Sequence, residues 1–133
     1  MKRSVFFTYG RDDKGFAMRL ADKMREKGIE VFDPEIEVTS GEVWAQTVRK
    51  AISNANAVVA ILPMSGTPGS NNAFFEIGLA RTMNKKVLAV TPDRLSSGDR
   101  ELPQGLLDLL VLDGANKSAE TIVDTLSQAL RAA

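Results

Sequence analysis

Ala57-Val58-Val59-Ala60-Ile61-Leu62 runs apolar at every position, with no polar residue to turn toward solvent. A strand wetted on one face alternates apolar and polar residues. An unbroken run instead fits a central strand of a parallel sheet, covered by helices on both faces. Downstream, Pro63–Asn72 is rich in Pro, Gly, Ser and Asn and reads as a loop. Upstream, Trp44, Val48 and Ile52 recur at helical spacing and predict a helix with one apolar face.

The same alternation extends to both ends. Val5–Tyr9 is a short apolar and aromatic run closed by Gly10, a second buried strand. Asp12 or Asp13 is placed to cap the following helix, in which Phe16, Leu20 and Met24 recur every four residues beside Ala17 and Ala21. Gly28 marks the end of that helix. Ile29–Phe32 predicts another strand and Asp33–Gly41 a polar loop, after which Thr39 and Glu42 have capping-box spacing. Beyond the central strand, Ala73–Met83 is helical in pattern, Val87–Val90 is a strand and Thr91–Pro103 a polar, charged loop. Leu106–Leu112 predicts a helical turn and then the last strand, near Leu109–Leu112. Ser118 caps a final helix whose core face is Ile122, Val123, Leu126 and Leu130. No linker, repeat or low-complexity tract interrupts the pattern, so residues 1–133 predict a single domain. Parallel neighbours need crossover connections, and alternation supplies them. The expected class is α/β, a flavodoxin-like doubly wound parallel sheet of about five strands in the order 2-1-3-4-5, with helices on both faces.

Composition narrows the chemistry. Lys plus Arg and Asp plus Glu number 17 each, so the net charge is zero. Nucleic acid is therefore not expected as a partner, because its phosphates call for a basic excess. No apolar stretch approaches the roughly 20 residues that span a bilayer. The run after Met1-Lys2-Arg3 breaks at Tyr9-Gly10-Arg11-Asp12-Asp13, unlike a signal peptide. The expectation is a cytoplasmic protein with no membrane partner. The chain has no Cys and no His. Thiol nucleophiles, Cys/His zinc sites and imidazole-dependent triads are thereby removed, and no metal ligands are expected. Any catalysis must rest on carboxylates, Lys, Tyr, hydroxyls or backbone donors.

Doubly wound sheets bind ligands outside the carboxyl ends of their strands, where the strand order reverses. Here that crevice is expected between the first and third strands, lined by Thr8–Asp13 and Pro63–Asn72 and flanked by Asp33–Gly41. Thr8, Tyr9, Gly10 and Arg11 offer a hydroxyl, a ring, close backbone approach and a cation. Ser70, Asn71 and Asn72 are placed to cap the next helix or to meet a ligand. Glu76 interrupts an apolar stretch between Phe75 and Ile77, in the expected first turn of that helix. Two readings of it stand side by side. The helix dipole favours an acid there by about 0.3–1 kcal/mol, or the carboxylate serves a site. An arginine such as Arg11 is more often a solvated loop charge than a ligand, and a tryptophan on an apolar face, as Trp44 is, more often core than a stacking platform. Gly66-Thr67-Pro68-Gly69-Ser70 lacks the Lys that a phosphate-binding P-loop requires.

At these residues the chain resembles the TIR (Toll/interleukin-1 receptor) domain in its bacterial form, over nearly its whole length. Val5-Phe6-Phe7-Thr8-Tyr9-Gly10-Arg11-Asp12-Asp13 looks like the family's opening strand and its Ser-Tyr-x-x-x-Asp signature, with Thr8 and Gly10 as variants. Gly28–Asp33 looks like the second strand, and Ile36 through Gly41-Glu42-Val43-Trp44 like the BB loop. Ala51–Ala55 leading into Val58–Leu62, and then Phe75-Glu76-Ile77-Gly78, match the next helix, strand and Glu-bearing helix. One departure stands out: the family often has a Trp four residues before this Glu, where Asn72 stands here. That ring's role then falls to Phe74, Phe75 or Trp44, or is absent. Nucleoside 2-deoxyribosyltransferases share the fold, and Ala73–Ala80 resembles their Glu-bearing segment. Their usual Asp six residues before the Glu is Ser70 here, and Tyr9-Gly10-Arg11-Asp12 stands where they carry a Gly-Pro type loop. These differences favour the TIR resemblance.

The resemblance implies cleavage of the nicotinamide–ribose bond of NAD, by hydrolysis, cyclisation or both. NAD is then a substrate, and no cofactor is expected. It implies Glu76 as the catalytic residue and Thr8, Tyr9, Gly10, Arg11, Asp33, Trp44, Ser70 and Asn72 as candidate substrate-binding residues. It also implies partners: other TIR domains or a second copy of the chain, met through the BB loop about Ile36, Ser40 and Gly41. Two other functions stay open, a non-enzymatic interaction module and deoxyribosyl transfer.

Overall fold

The computed structural model describes residues 3–34, 44–64, 66–92, 111–114 and 117–131. Strand β1 (Ser4–Thr8) leads through a 3-10 turn (Arg11–Asp13) into helix α1 (Lys14–Glu26). Asp13 occupies the N-cap of α1, but its side chain makes no capping hydrogen bond. The tight turn brings the chain in instead, with the Asp13 N–H donating to the Gly10 carbonyl at 3.0 Å. Gly28 closes α1 as predicted. Its N–H donates to the Arg25 carbonyl at 2.9 Å, and the Ile29 N–H donates to that of Met24 at 3.1 Å. This pair of bonds satisfies carbonyls that a helix end otherwise leaves open.

Strand β2 (Glu30–Phe32) follows, then helix α2 (Trp44–Asn54) and strand β3 (Ala57–Ile61). Helix α3 (Ser70–Thr82), strand β4 (Lys86–Thr91), strand β5 (Val111–Asp113) and helix α4 (Ala119–Arg131) complete the described chain. The five strands form one all-parallel sheet in the order β2-β1-β3-β4-β5. Ser118 caps α4, its Oγ accepting from the Thr121 N–H at 3.1 Å. The last strand is seen at Val111–Asp113, slightly beyond the expected position. The proposed turn at Leu106, the Thr39–Glu42 pair and most of the Thr91–Pro103 loop lie outside the described residues.

The unbroken apolar run is the sheet's centre. Val58 pairs with Phe6 on one side and Val87 on the other, and all five residues of β3 are buried. Alternate residues feed opposite layers, as pleating requires. Val5, Phe7, Val59 and Ile61 pack with Phe16, Leu20 and Met24 of α1 and Ile122 and Leu126 of α4. Phe6 and Val58 pack with Val48 and Ile52 of α2, while Ala60 and Leu62 meet Ile77 of α3. Each large apolar side chain buried this way contributes about 1.5–3 kcal/mol. Among the described residues, no helix is long and apolar enough to cross a membrane.

Candidate functional site

Helix α3 begins earlier than its sequence suggests. Ser70, Asn71 and Asn72 form its first turn, and Gly69 holds the N-cap with φ of 80° and no side-chain cap. Only glycine adopts that left-handed backbone without strain. These residues read as loop because Ser and Asn favour turns, yet packing carries the helix through them. The new start changes the meaning of Glu76. It is the seventh residue of α3, almost two turns in. The dipole effect fades within the first turn, so it does not account for this acid. Glu76 is only 3% exposed, and its neighbours on the buried stripe are Ala73, Ile77 and Ala80. A carboxylate thus stands at a core-facing position.

The loops after β1 and β3 touch at one point, and residues of both line an opening beside it. The Arg11 N–H donates to the Pro68 carbonyl at 2.9 Å. A Cβ on Gly10 would lie 2.9 Å from Pro63 Cβ, and one on Gly69 would lie 3.3 Å from the Arg11 nitrogen. The two glycines are what let the loops meet. The opening lies beside this seam, toward β2. There a cavity of about 160 Å³ is lined by Tyr9, Pro34, Trp44, Gly69, Asn72 and Glu76. Gly69, Asn72 and Glu76 share one face of α3, being three and four residues apart.

The predicted site residues therefore divide. Tyr9, Trp44, Asn72 and Glu76 come together at the cavity. Thr8, Gly10, Arg11 and Ser70 are not among its lining residues. Thr8 ends β1 with its Oγ1 buried and without a hydrogen-bond partner among the described residues. Arg11 is exposed, and Gly10 and Arg11 hold the seam through their backbone. Asp33 is fully buried and is not among the lining residues; it accepts from Tyr9 Oη at 2.9 Å through Oδ1 and 2.7 Å through Oδ2. Trp44 packs on the core of α2 and lines the cavity. Its ring lies 6.0 Å from that of Phe75 at 39°, and Phe75 is 49% exposed. Ile36, Ser40 and Gly41 lie outside the described residues.

Sequence reasoning placed Pro34 and Gly69 in loops expected at the site but did not single them out as lining residues. Pro34 follows Asp33 directly at the carboxyl end of β2, the edge where ligands are expected, which was the available signal. A larger cavity of about 650 Å³ lies along β2 between the end of α1 and α2, touched by Arg25, Ile29, Val31 and Lys50. It starts at the amino end of the sheet and holds no buried carboxylate, so the smaller cavity is the better candidate despite its size. Among the described residues no cluster of three or more His, Cys, Asp or Glu is arranged to hold a metal ion.

A family model described as the TIR domain matches residues 5–132. The chain belongs to the TIR domain family. A search of curated proteins by sequence found no match. Solved structures similar to this TIR domain include that of the Toll-related receptor TRR-2 from Hydra magnipapillata. It is 19% identical, with 96% of this chain and 97% of that one covered and a TM-score of 0.67. The 2-desoxiribosyltransferase of Leishmania mexicana is 14% identical, with 97% of each chain covered and a TM-score of 0.63. The CMP N-glycosidase BcmB of Clostridium botulinum is 21% identical, with 95% and 99% covered and a TM-score of 0.59. At these identities the likeness establishes the shared fold.

Proposed function

We propose that this TIR domain cleaves the nicotinamide–ribose bond of NAD, with Glu76 as the catalytic residue. The observation that carries the reading is the Glu76 side chain, 3% exposed on a helix face that otherwise builds core, at the wall of a cavity between Tyr9 and Trp44. The reaction suits one carboxylate. The C1′–N bond breaks with both electrons going to the pyridinium nitrogen, so nicotinamide leaves neutral and needs no general acid. Positive charge develops on the ribose as an oxocarbenium ion. A fixed carboxylate in a partly dry site stabilises that charge. Water then attacks C1′ to give ADP-ribose, or an adenine nitrogen attacks to give a cyclic product.

Size is consistent with this division of labour. A cavity of about 160 Å³ is smaller than the roughly 300–1,000 Å³ of pockets that enclose a whole small ligand. It suits the reacting end of a dinucleotide and leaves the remainder outside. Among the structural relatives, the glycosidase and the deoxyribosyltransferase are named for chemistry at a sugar–base bond, which supports the same bond class here. Self-association with further TIR domains is part of the reading, and its signature is turnover per molecule that rises with protein concentration.

The test is nicotinamide release from NAD, with products resolved, for wild type and Glu76→Ala across a range of protein concentrations. Loss of at least roughly 10²-fold in rate is expected for the variant. Equal release by the two proteins would remove Glu76 from the mechanism. Exchange of a free base into a deoxynucleoside, without NAD turnover, would assign the transferase chemistry instead. Persistent self-association with neither activity would mark an interaction module.

A further inference from the structure

Strand β2 stands at an outer edge of the sheet, and among the described residues it pairs with β1 alone. In a parallel ladder a residue turns both of its backbone groups to one side, and its neighbours turn theirs to the other. The Glu30 N–H donates to the Arg3 carbonyl at 2.9 Å, so Glu30 and Phe32 turn toward β1. Val31 therefore presents its N–H and its carbonyl outward. The carbonyl accepts from Arg25 Nη2 at 3.4 Å, and the N–H has no partner among the described residues. Beyond this edge lies the cavity of about 650 Å³, with Ile29, Phe32 and Ala51 among its apolar lining. A second cavity, of about 560 Å³, shares Gly28 and Ile29 with it. Across the two, Arg3, Arg25, Lys27, Lys50 and Arg131 stand against one lining acid, Glu30, in a chain whose net charge is zero. Asp22 offsets Arg25 at 3.6 Å and Asp124 offsets Lys27 at 2.8 Å. Arg3, Lys50 and Arg131 have no ion pair among the described residues. Helix C-termini attract cations, which accounts for Arg131 in the last turn of α4. It does not account for Lys50, ahead of the last turn of α2, or for Arg3, which lies on no helix.

We propose that the edge of β2 docks an extended acidic segment of a partner protein, which adds to the sheet through Val31 and sets its carboxylates among these cations. Strand addition draws affinity from main-chain bonds and specificity from alternate side chains. The apolar lining receives one set of those side chains and the cations the other. Open edges are commonly blunted by short strands and charged side chains. Here β2 is three residues long and the unpaired charges beside it are cations, so a basic strand is repelled and an acidic one drawn in. The docked segment lies toward the amino end of the sheet. Tyr9, Trp44 and Glu76 line the cavity at the carboxyl end, which such a partner leaves open.

The experiment titrates the full chain into a fluorescein-labelled peptide of repeated Glu-Val, followed by anisotropy. A Lys-Val repeat of equal length and a Glu-Val repeat N-methylated at two adjacent central residues serve as comparisons. The Glu-Val peptide is expected to bind at least about tenfold tighter than either, and more weakly as salt rises. Methylation keeps every charge and blocks both edges of the peptide, so equal binding of the methylated form overturns strand addition. Equal binding of the Lys-Val peptide overturns the preference for acid, and no binding of the Glu-Val peptide overturns the site. Lys50 is exposed, so Lys50→Glu is expected to keep the fold, read from its melting transition, while affinity for the Glu-Val peptide falls by about fivefold or more. An unchanged affinity overturns the role of the cations. A second readout locates the peptide: in nitrogen-labelled protein the Val31 amide resonance should shift on saturation and that of Glu76 should not. The reverse pattern places the peptide at the other cavity and overturns the proposal. A Val31 resonance that moves with protein concentration alone marks the edge as a contact between copies of the chain, and overturns it as well.

Discussion

Glu76 is a carboxylate on the stripe of α3 that otherwise carries small and apolar side chains. Burying an ionised carboxylate carries a desolvation cost that Ala73, Ile77 and Ala80, on the same stripe, do not. Glu76→Gln keeps the size of the side chain and removes its charge, so the protein is expected to stay folded, read from its melting transition, while nicotinamide release falls. A variant that lost both together would identify Glu76 as a structural residue. The sequence already singled this acid out, because a charge inside Phe74-Phe75-Glu76-Ile77 is conspicuous in one dimension. Its relation to the helix was misjudged, since Ser70-Asn71-Asn72 favours turns by local propensity and helix by tertiary packing. The Tyr9–Asp33 pair was not legible at all. Both residues were candidates for touching substrate, and nothing local reveals that they bond to each other.

The elements show the same division between local and distant information. Strand β3 was readable because burial on both faces leaves a composition with no polar residue. The end of α1 was readable because a glycine sits where a helix closes. The start of α1 was readable in position, since Asp13 holds the N-cap, but not in chemistry, because that side chain makes no capping bond. The closed seam between the β1 and β3 loops depends on backbone groups of Arg11 and Pro68, whose meeting no side-chain pattern records. Gly10 is the element-scale test. Its backbone, with φ of −82° and ψ of 160°, suits any residue, so the constraint is space alone. Gly10→Val puts branched carbon against Pro63 and is expected to destabilise by about 1–3 kcal/mol, read from the denaturant midpoint. A neutral effect would mean that the seam yields without cost.

Across the whole molecule the sheet separates two kinds of work. The layer of α1 and α4 is built on Phe7, Leu20, Met24 and Ile122, while the Glu76 helix lies in the opposite layer with α2. The strand order 2-1-3-4-5 was deducible because alternating elements restrict a parallel sheet to few arrangements. The cavity lies where fold logic pointed: Tyr9 after β1 and Gly69, Asn72 and Glu76 after β3 line it, with Pro34 after β2 flanking them. Phe7 is fully buried in the α1–α4 layer. Phe7→Ala should lose about 3–5 kcal/mol of unfolding free energy, measured by chemical denaturation; a loss under about 1 kcal/mol would show that this layer repacks freely.

The bond from Arg11 to Pro68 has one more consequence, in the time domain. The Arg11 side chain lies in water, yet its amide proton is engaged between two loops. In heavy water such a proton is replaced as the bond opens, so its lifetime counts the partings of those loops. Nuclear magnetic resonance should find it slower to exchange than ordinary exposed-loop amides. A rate equal to theirs would mean that the seam opens as fast as solvent arrives.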